Sequence, residues 1–171
     1  RKYIRPQIVP DPGFTVPAVP LPRRLTPLSF EMGMNLAVAL KCCRYVNLHA
    51  AVVANDNGGI LISAQSGGGK STLAAALMGE GYRLMSDEFG LLDFDGQKLH
   101  GYPRPVSLKD ESIDIVTELA GHDWMSERFT DTPKGDIAYR RVRPTDLKAA
   151  KTAVDAKLVI FPVFGKGAPG V

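Results

Sequence analysis

Only two cysteines occur among the 171 residues, and they are neighbours, Cys42 and Cys43. Adjacent Cα atoms stand about 3.8 Å apart, below the usual disulfide span, so a bridge between them would be strained. With no further Cys there is neither a disulfide framework nor a Cys-based zinc site. The three histidines, His49, His100 and His122, are far apart in sequence and share no ligand spacing, which disfavours a transition-metal site. No uncharged apolar run approaches the ~18 residues of a membrane-spanning helix. The longest, residues 35–43, is short and holds Lys41. Charge of one sign is scarce too. Against 18 Asp and Glu there are 21 Lys and Arg, a net +3, too mild for a nucleic-acid-binding face. The start, Arg1-Lys2-Tyr3, has no Met and no signal-peptide apolar stretch after it. The expectation is a soluble cytoplasmic protein without nucleic-acid or membrane partners, read here from what could be a piece of a longer chain.

What is present suits one α/β domain, since 44% of residues are hydrophobic and 23% charged. Seven of the 13 prolines fall in the first 27 residues (Pro6, Pro10, Pro12, Pro17, Pro20, Pro22, Pro27). Each fixes φ and removes a donor, so residues 1–29 are expected to form a proline-rich extended arm or linker. Residues 30–45, with Met34, Leu36, Val38, Ala39, Leu40 and Cys43, read as a buried helix. A strand is expected over residues 49–54, opened by His49, followed by an Asn-Gly turn at 55–59 and a second strand at 60–63. The pattern then predicts a helix over 71–79, a strand over 82–86, a hairpin around Asp95-Gly96, a helix over 112–119 and an apolar strand over 156–161. No internal repeat is visible.

Ala64-Gln65-Ser66-Gly67-Gly68-Gly69-Lys70-Ser71 fits the P-loop (Walker A) pattern with Ala in place of the first Gly. Glycines let successive backbone N–H groups turn inward around phosphate oxygens, where a Cβ would obstruct them. The helix that follows points the positive end of its dipole at the same anion. Lys70 can reach the β- and γ-phosphates and the Ser71 hydroxyl can bind Mg²⁺. Ser66, Gly67, Gly68, Gly69, Lys70, Ser71 and Thr72 are therefore the candidate nucleotide-binding residues. The apolar strand before and the helix after supply the required frame.

Two carboxylates, Asp87 and Glu88, end the next apolar strand. Beside a P-loop, one such group can hold the metal and a second can accept a proton from an attacking hydroxyl. A solvated acidic turn is the plainer alternative. His49 next to apolar residues reads more simply as a core histidine than as a functional one. Residues 128–151 carry Lys134, Arg140, Arg141, Arg143, Lys148 and Lys151 among Asp131, Asp136 and Asp146. A solvated face is the simpler reading there, with Lys134-Gly135 as a candidate mobile loop over the nucleotide. Trp124 and Phe129 read as packing residues.

Taken as a set, these stretches resemble the catalytic domain of HPr kinase/phosphorylase, and more closely the HprK-related kinase A group. The residues that carry the resemblance are His49-Ala50-Ala51-Val52-Val53, Asn57-Gly58-Gly59, Ser66 to Ser71, and Gly81-Tyr82-Arg83-Leu84-Met85-Ser86-Asp87-Glu88-Phe89. Pro103-Arg104-Pro105-Val106-Ser107-Leu108-Lys109 and Phe129-Thr130-Asp131-Thr132-Pro133-Lys134-Gly135 extend it. It covers most of the chain from residue 30 onward. The resemblance implies a P-loop domain of the HPr-kinase type over residues 30–171, a mixed sheet with flanking helices, truncated at its C-terminal end. It implies ATP and Mg²⁺ as cofactors and transfer of the γ-phosphoryl group to a serine of a small protein or peptide. Asp87 would act as base, Ser71 and Glu88 as metal ligands, and His49 and Lys70 near the transferred phosphate. Lys109 aligns with a basic residue of the family, and the family tends towards homo-oligomers. The catalytic-Arg loop and the substrate signature of the bifunctional enzyme are not found in this chain. Two other readings stay open, a non-enzymatic nucleotide sensor and an ATPase with water as acceptor.

Overall fold

The computed structural model describes residues 7–9 and 20–163. The chain divides into two compact units, Arg1–Arg44 and Tyr45–Val171. No helix among the described residues is long and apolar enough to cross a membrane.

In the first unit, β1 (Gln7–Ile8) pairs antiparallel with β2 (Leu21–Pro22), and a 3-10 turn leads into α1 (Thr26–Lys41). Pro6, Pro10, Pro12 and Pro17 of the expected arm lie outside the described residues, as does the expected truncation beyond residue 163. The helix begins before residue 30 because Pro27 stands in its first turn. There the missing N–H would have no partner anyway and the fixed φ is already helical. It is also not the buried helix expected. Phe30 and Leu40 are 66% and 50% exposed, because its apolar residues are spread around the axis rather than gathered in one stripe.

The second unit opens with β3 (Val46–His49), β4 (Ala51–Asn55), β5 (Gly58–Ile62), α2 (Lys70–Gly79) and β6 (Arg83–Ser86). It continues with β7 (Phe89–Leu92), β8 (Lys98–His100), β9 (Val106–Lys109) and α3 (Glu111–Ala120). Last come β10 (Phe129–Thr132), β11 (Gly135–Arg140), α4 (Pro144–Lys148) and β12 (Val154–Ile160). Seven strands form one mixed sheet in the order β3-β7-β8-β12-β5-β4-β6, and β10-β11-β9 form a second, antiparallel one. In the larger sheet β12 runs parallel to β5 and the remaining pairs are antiparallel. The expected α/β class, a mixed sheet with flanking helices, is what forms.

The strand expected over residues 49–54 is two strands. His49 ends β3, which pairs with β7, whereas β4 pairs with β5 and β6. The chain changes partners at Ala50, and nothing in an unbroken apolar run marks the change. Along β4 the side chains alternate between two cores. Ala51 and Val53 pack with Ala74, Ala75 and Met78 of α2, Ile113 and Val116 of α3, and Val106, Leu108 and Ala138 of the smaller sheet. Val52 and Ala54 pack with Leu61, Met85 and Leu99, and with Leu48 and Leu92 at the margin. Strands far apart in the sheet order thus meet through their side chains, so the large sheet curls over itself. Gly90 permits one such close contact, since a Cβ there would stand 2.6 Å from Leu61 Cδ2.

The basic stretch is a solvated face only in part, with Arg128, Arg141, Lys148 and Lys151 exposed. Residues 129–140 form β10 and β11, and Arg140 and Asp146 are buried. Arg143 donates to the carbonyls of Met78, at the end of α2, and Tyr82, and pairs with Asp146. Asp146 in turn accepts the Leu84 N–H at 3.2 Å. Arg83 donates to the carbonyls of Ala149 at 2.7 Å and Thr152 at 2.8 Å. Burial first, and the neighbouring Arg143 charge second, lower the Arg140 pKa from its usual value, opposed by Asp146. These charges are spent on the backbone of α2, β6 and the lead-in to β12. Phe129 packs edge-on against Tyr139 with ring centroids 6.1 Å apart, while Trp124 is 37% exposed. Replacing Asp146 by Ala leaves the Leu84 N–H without its acceptor and the Arg143 guanidinium, still bonded to the Met78 and Tyr82 carbonyls, without its charge partner. The expected loss is roughly 3–5 kcal/mol of unfolding free energy by urea titration, and a loss below ~1 kcal/mol would remove this network from the stabilising interactions.

Candidate functional site

A cavity of about 720 Å³ opens in the second unit where β3, β6 and β9 end and where α2 and α3 begin. Its first wall is the connection from β5 to α2. Ser63 N–H continues the β5 pairing by donating to Ile160 O at 2.9 Å, after which the chain leaves the sheet. Gly67 and Gly69 both have φ +80°, and Gly69 is the N-cap of α2. An L-residue with a side chain is strained there. At Gly68 the constraint is steric, because a Cβ would lie 2.7 Å from Ala64 Cβ and 3.0 Å from Gln65 O. The loop is pinned by Gly68 N–H donating to Gln65 O at 2.9 Å. Lys70 is 9% exposed, and its Nζ donates to Ala64 O at 3.1 Å while facing the cavity. One ammonium N–H serves the loop, which leaves two for a ligand. The first N–H groups of α2 have no helical acceptor and carry the positive dipole end into the same space.

Opposite lie the residues after β6. Asp87 is 3% exposed and its Oδ2 accepts the Ser107 N–H of β9 at 2.9 Å. That bond joins the end of the large sheet to the small one. Glu88 comes next, and its Oε2 is 3.4 Å from His49 Nε2, with the two side chains 28% and 64% exposed. His49 is therefore not the core histidine its apolar neighbours suggest. It stands at the mouth of the cavity, at the end of β3.

Ser66, Gly67, Gly68, Gly69, Lys70, Ser71, Thr72, His49, Asp87 and Glu88 all line this one cavity, and so does Lys109. Residues 49 to 88, split among three strand ends, are brought together because β4 and β5 form a hairpin and β6 pairs beside β4. Among the described residues no three His, Cys, Asp or Glu side chains gather as a metal-ligating group.

Of the remaining wall the sequence offered Lys134, as a candidate loop over the nucleotide, but not the start of α3. Ser107, Asp110, Glu111, Ser112 and Ile115 line it, with Lys134 from the turn between β10 and β11. Asp110 has φ +48°, a conformation that costs a non-glycine residue about 1–3 kcal/mol unless its surroundings enforce it. The enforcing contacts are reciprocal. Its N–H donates to Asp136 O, and its Oδ1 accepts the Asp136 N–H, both at 3.1 Å. Gly135 leaves room for that carboxylate, since a Cβ there would lie 2.7 Å from Oδ1. The lone sequence signal was an Asp just before a helix, which suggests an N-cap. Asp110 holds that position yet makes no side-chain cap. Its carboxylate instead fixes the Lys134 turn at the rim.

Compared with protein-family models, with curated proteins and with solved structures, the chain matches none.

An anion fits the first wall by geometry and charge, and the same cavity is lined by the carboxylates of Asp87 and Glu88. Wild-type protein is expected to bind inorganic triphosphate by calorimetry, and Gly68→Ala to bind it at least tenfold more weakly, about 1.4 kcal/mol. Equal affinity would show that the loop is not the anion cradle.

Proposed function

We propose that the Tyr45–Val171 unit is a P-loop kinase domain of the HPr-kinase catalytic type, which transfers the γ-phosphoryl group of ATP to a seryl hydroxyl of a small protein or peptide. The observation that carries this reading is the shared cavity, in which a buried carboxylate, Asp87, faces the glycine loop and Lys70. A glycine-rich turn or an acidic turn alone would be unremarkable. Their convergence from separate strand ends is what phosphoryl transfer requires, because its catalysis is mostly positioning and charge stabilisation.

In this reading the backbone N–H groups of Gly67 and of residues 69–72, with the Lys70 ammonium, hold the β- and γ-phosphates. Ser71 and Glu88 would hold Mg²⁺. One hydroxyl and one carboxylate suit this ion, which takes most of its remaining oxygens from phosphate and water, and the absence of a three-residue cluster among the described residues is compatible with that. The ion supplies neutralisation of charge on the phosphate oxygens. Asp87 accepts the seryl proton as the serine oxygen bonds to the γ-phosphorus and the bond to the β,γ-bridging oxygen breaks, releasing ADP. Its bond from the Ser107 N–H orients the carboxylate. His49 adds a donor near the transferred group, steadied by Glu88.

Lys70→Ala is expected to weaken ATP binding at least tenfold by calorimetry, and unchanged affinity would count against the P-loop assignment. Asp87→Asn keeps a carbonyl oxygen for the Ser107 N–H but cannot accept the proton. It is expected to bind ATP normally and to lose more than 100-fold in transfer of γ-label to a protein acceptor in host lysate with Mg²⁺. Wild-type transfer by this variant would remove Asp87 from the base role. ATP binding without label transfer from the wild type would overturn the kinase reading in favour of a nucleotide sensor, and phosphate release without a labelled acceptor in favour of an ATPase.

A further inference from the structure

On α3, Ile113 and Val116 are buried in the core, while the opposite face carries two large apolar side chains in the open. Ile115 is 49% exposed and Leu119 is 62% exposed. Spaced i and i+4, they lie on the same face one turn apart, about 6 Å along the axis. Ile115 also lines the cavity, together with Glu111 and Ser112 from the first turn of the same helix. The apolar strip is therefore continuous with the candidate site, running out from its rim. Exposed carboxylates border it: Glu111 is one turn before Ile115, and Glu118 three residues after it. The strip is thus apolar along its axis, with the Glu111 carboxylate in line at its cavity end and Glu118 beside it.

We propose that this face of α3 is the docking strip for the phospho-acceptor, and that it selects a serine set in an apolar segment flanked by Lys or Arg. The inference rests on the kinase reading for the word acceptor, but not for the binding itself. Two features of the surface choose the occupant. A segment lying along Ile115 and Leu119 enters the cavity at its Ile115 end, which presents its serine to the Asp87 side. The charge at the borders favours a basic partner, whereas a second copy docked through the same face would set like charges against each other. The apolar contact supplies the burial and the border charges supply the choice.

The test uses three fluorescein-labelled synthetic peptides and the whole chain. One has a single serine between leucines with lysines outside them; the second replaces the lysines by glutamates; the third replaces the leucines by glycines. Anisotropy is expected to show the first bound at least tenfold more tightly than the other two. Leu119→Ser, which lies outside the cavity and on the surface, is expected to weaken that binding at least fivefold with ATP affinity unchanged. Glu118→Lys is expected to reverse the preference between the first two peptides. No binding of the first peptide, equal binding of all three, or binding untouched by both variants would overturn the proposal. So would a Leu119→Ser protein that changes its sedimentation mass while binding peptide normally, since the strip would then be a contact between copies. Transfer of γ-label from ATP to the bound peptide is read separately. A peptide that binds with the expected selectivity but receives no label upholds the docking strip and counts against the kinase reading, so the two failures are distinct.

Discussion

Strand β4 is covered on both faces, and most of the second unit is arranged to cover it. Ala51 and Val53 look towards α2, α3 and the smaller sheet; Val52 and Ala54 look towards the strands that curl back over the large sheet. Fully burying a valine contributes about 1.5–3 kcal/mol, so a strand with Val52 and Val53 both at zero exposure needs apolar cover on two sides. That demand accounts for the curl, for the glycine at position 90 where β7 packs against Leu61, and for a helix at the end of the β5 loop. A helix must follow that loop to cover the Ala51–Val53 face, and its first turn consequently opens beside the ends of β3 and β6. The cavity is the space left where these cores end.

Charged side chains then fix what burial leaves adjustable. Arg143 and Asp146 tie the end of α2 to the start of β6, and Arg83 ties β6 to the approach of β12. The glycine loop stands at the other end of α2 and the acidic pair at the other end of β6. Bracing one end of each element therefore sets the spacing across the cavity at the other. The Asp87–Ser107 bond completes the frame from the cavity side. Few of these contacts are made for solvent. Nearly all satisfy backbone groups that would otherwise be buried without partners.

The rim of the cavity is built differently from its floor. The floor rests on sheet and helix ends in which packing decides position. The rim depends on Asp110 in an unfavourable backbone conformation, held by Asp136 and by the room Gly135 provides. Strain of this kind persists where neighbours over-determine it. Here it aligns the start of α3 and the Lys134 turn with the mouth of the site, and so joins the exposed Ile115–Leu119 strip to it.

Local chemistry was enough to mark the glycine loop with its helix, the Asn-Gly hairpin, the acidic pair and the α/β class, because each is written in neighbouring residues: φ freedom, periodicity, a charge after an apolar run. The sequence could not separate β3 from β4, since both halves of that apolar run favour strand and pairing partners alone decide the break. It could not tell that Arg140 and Asp146 are buried and that Arg143 turns inward to backbone carbonyls, because a charge pattern looks the same in solvent and against a distant backbone carbonyl. The apolar neighbours of His49 read as a core setting, and only the family resemblance pointed to the cavity, at whose mouth the end of its strand lies. The chain alone determined which groups could cradle an anion or accept a proton. Tertiary structure decided that they face one another, because the distances between strand ends follow from long-range pairing and two-sided burial, which no local stretch encodes.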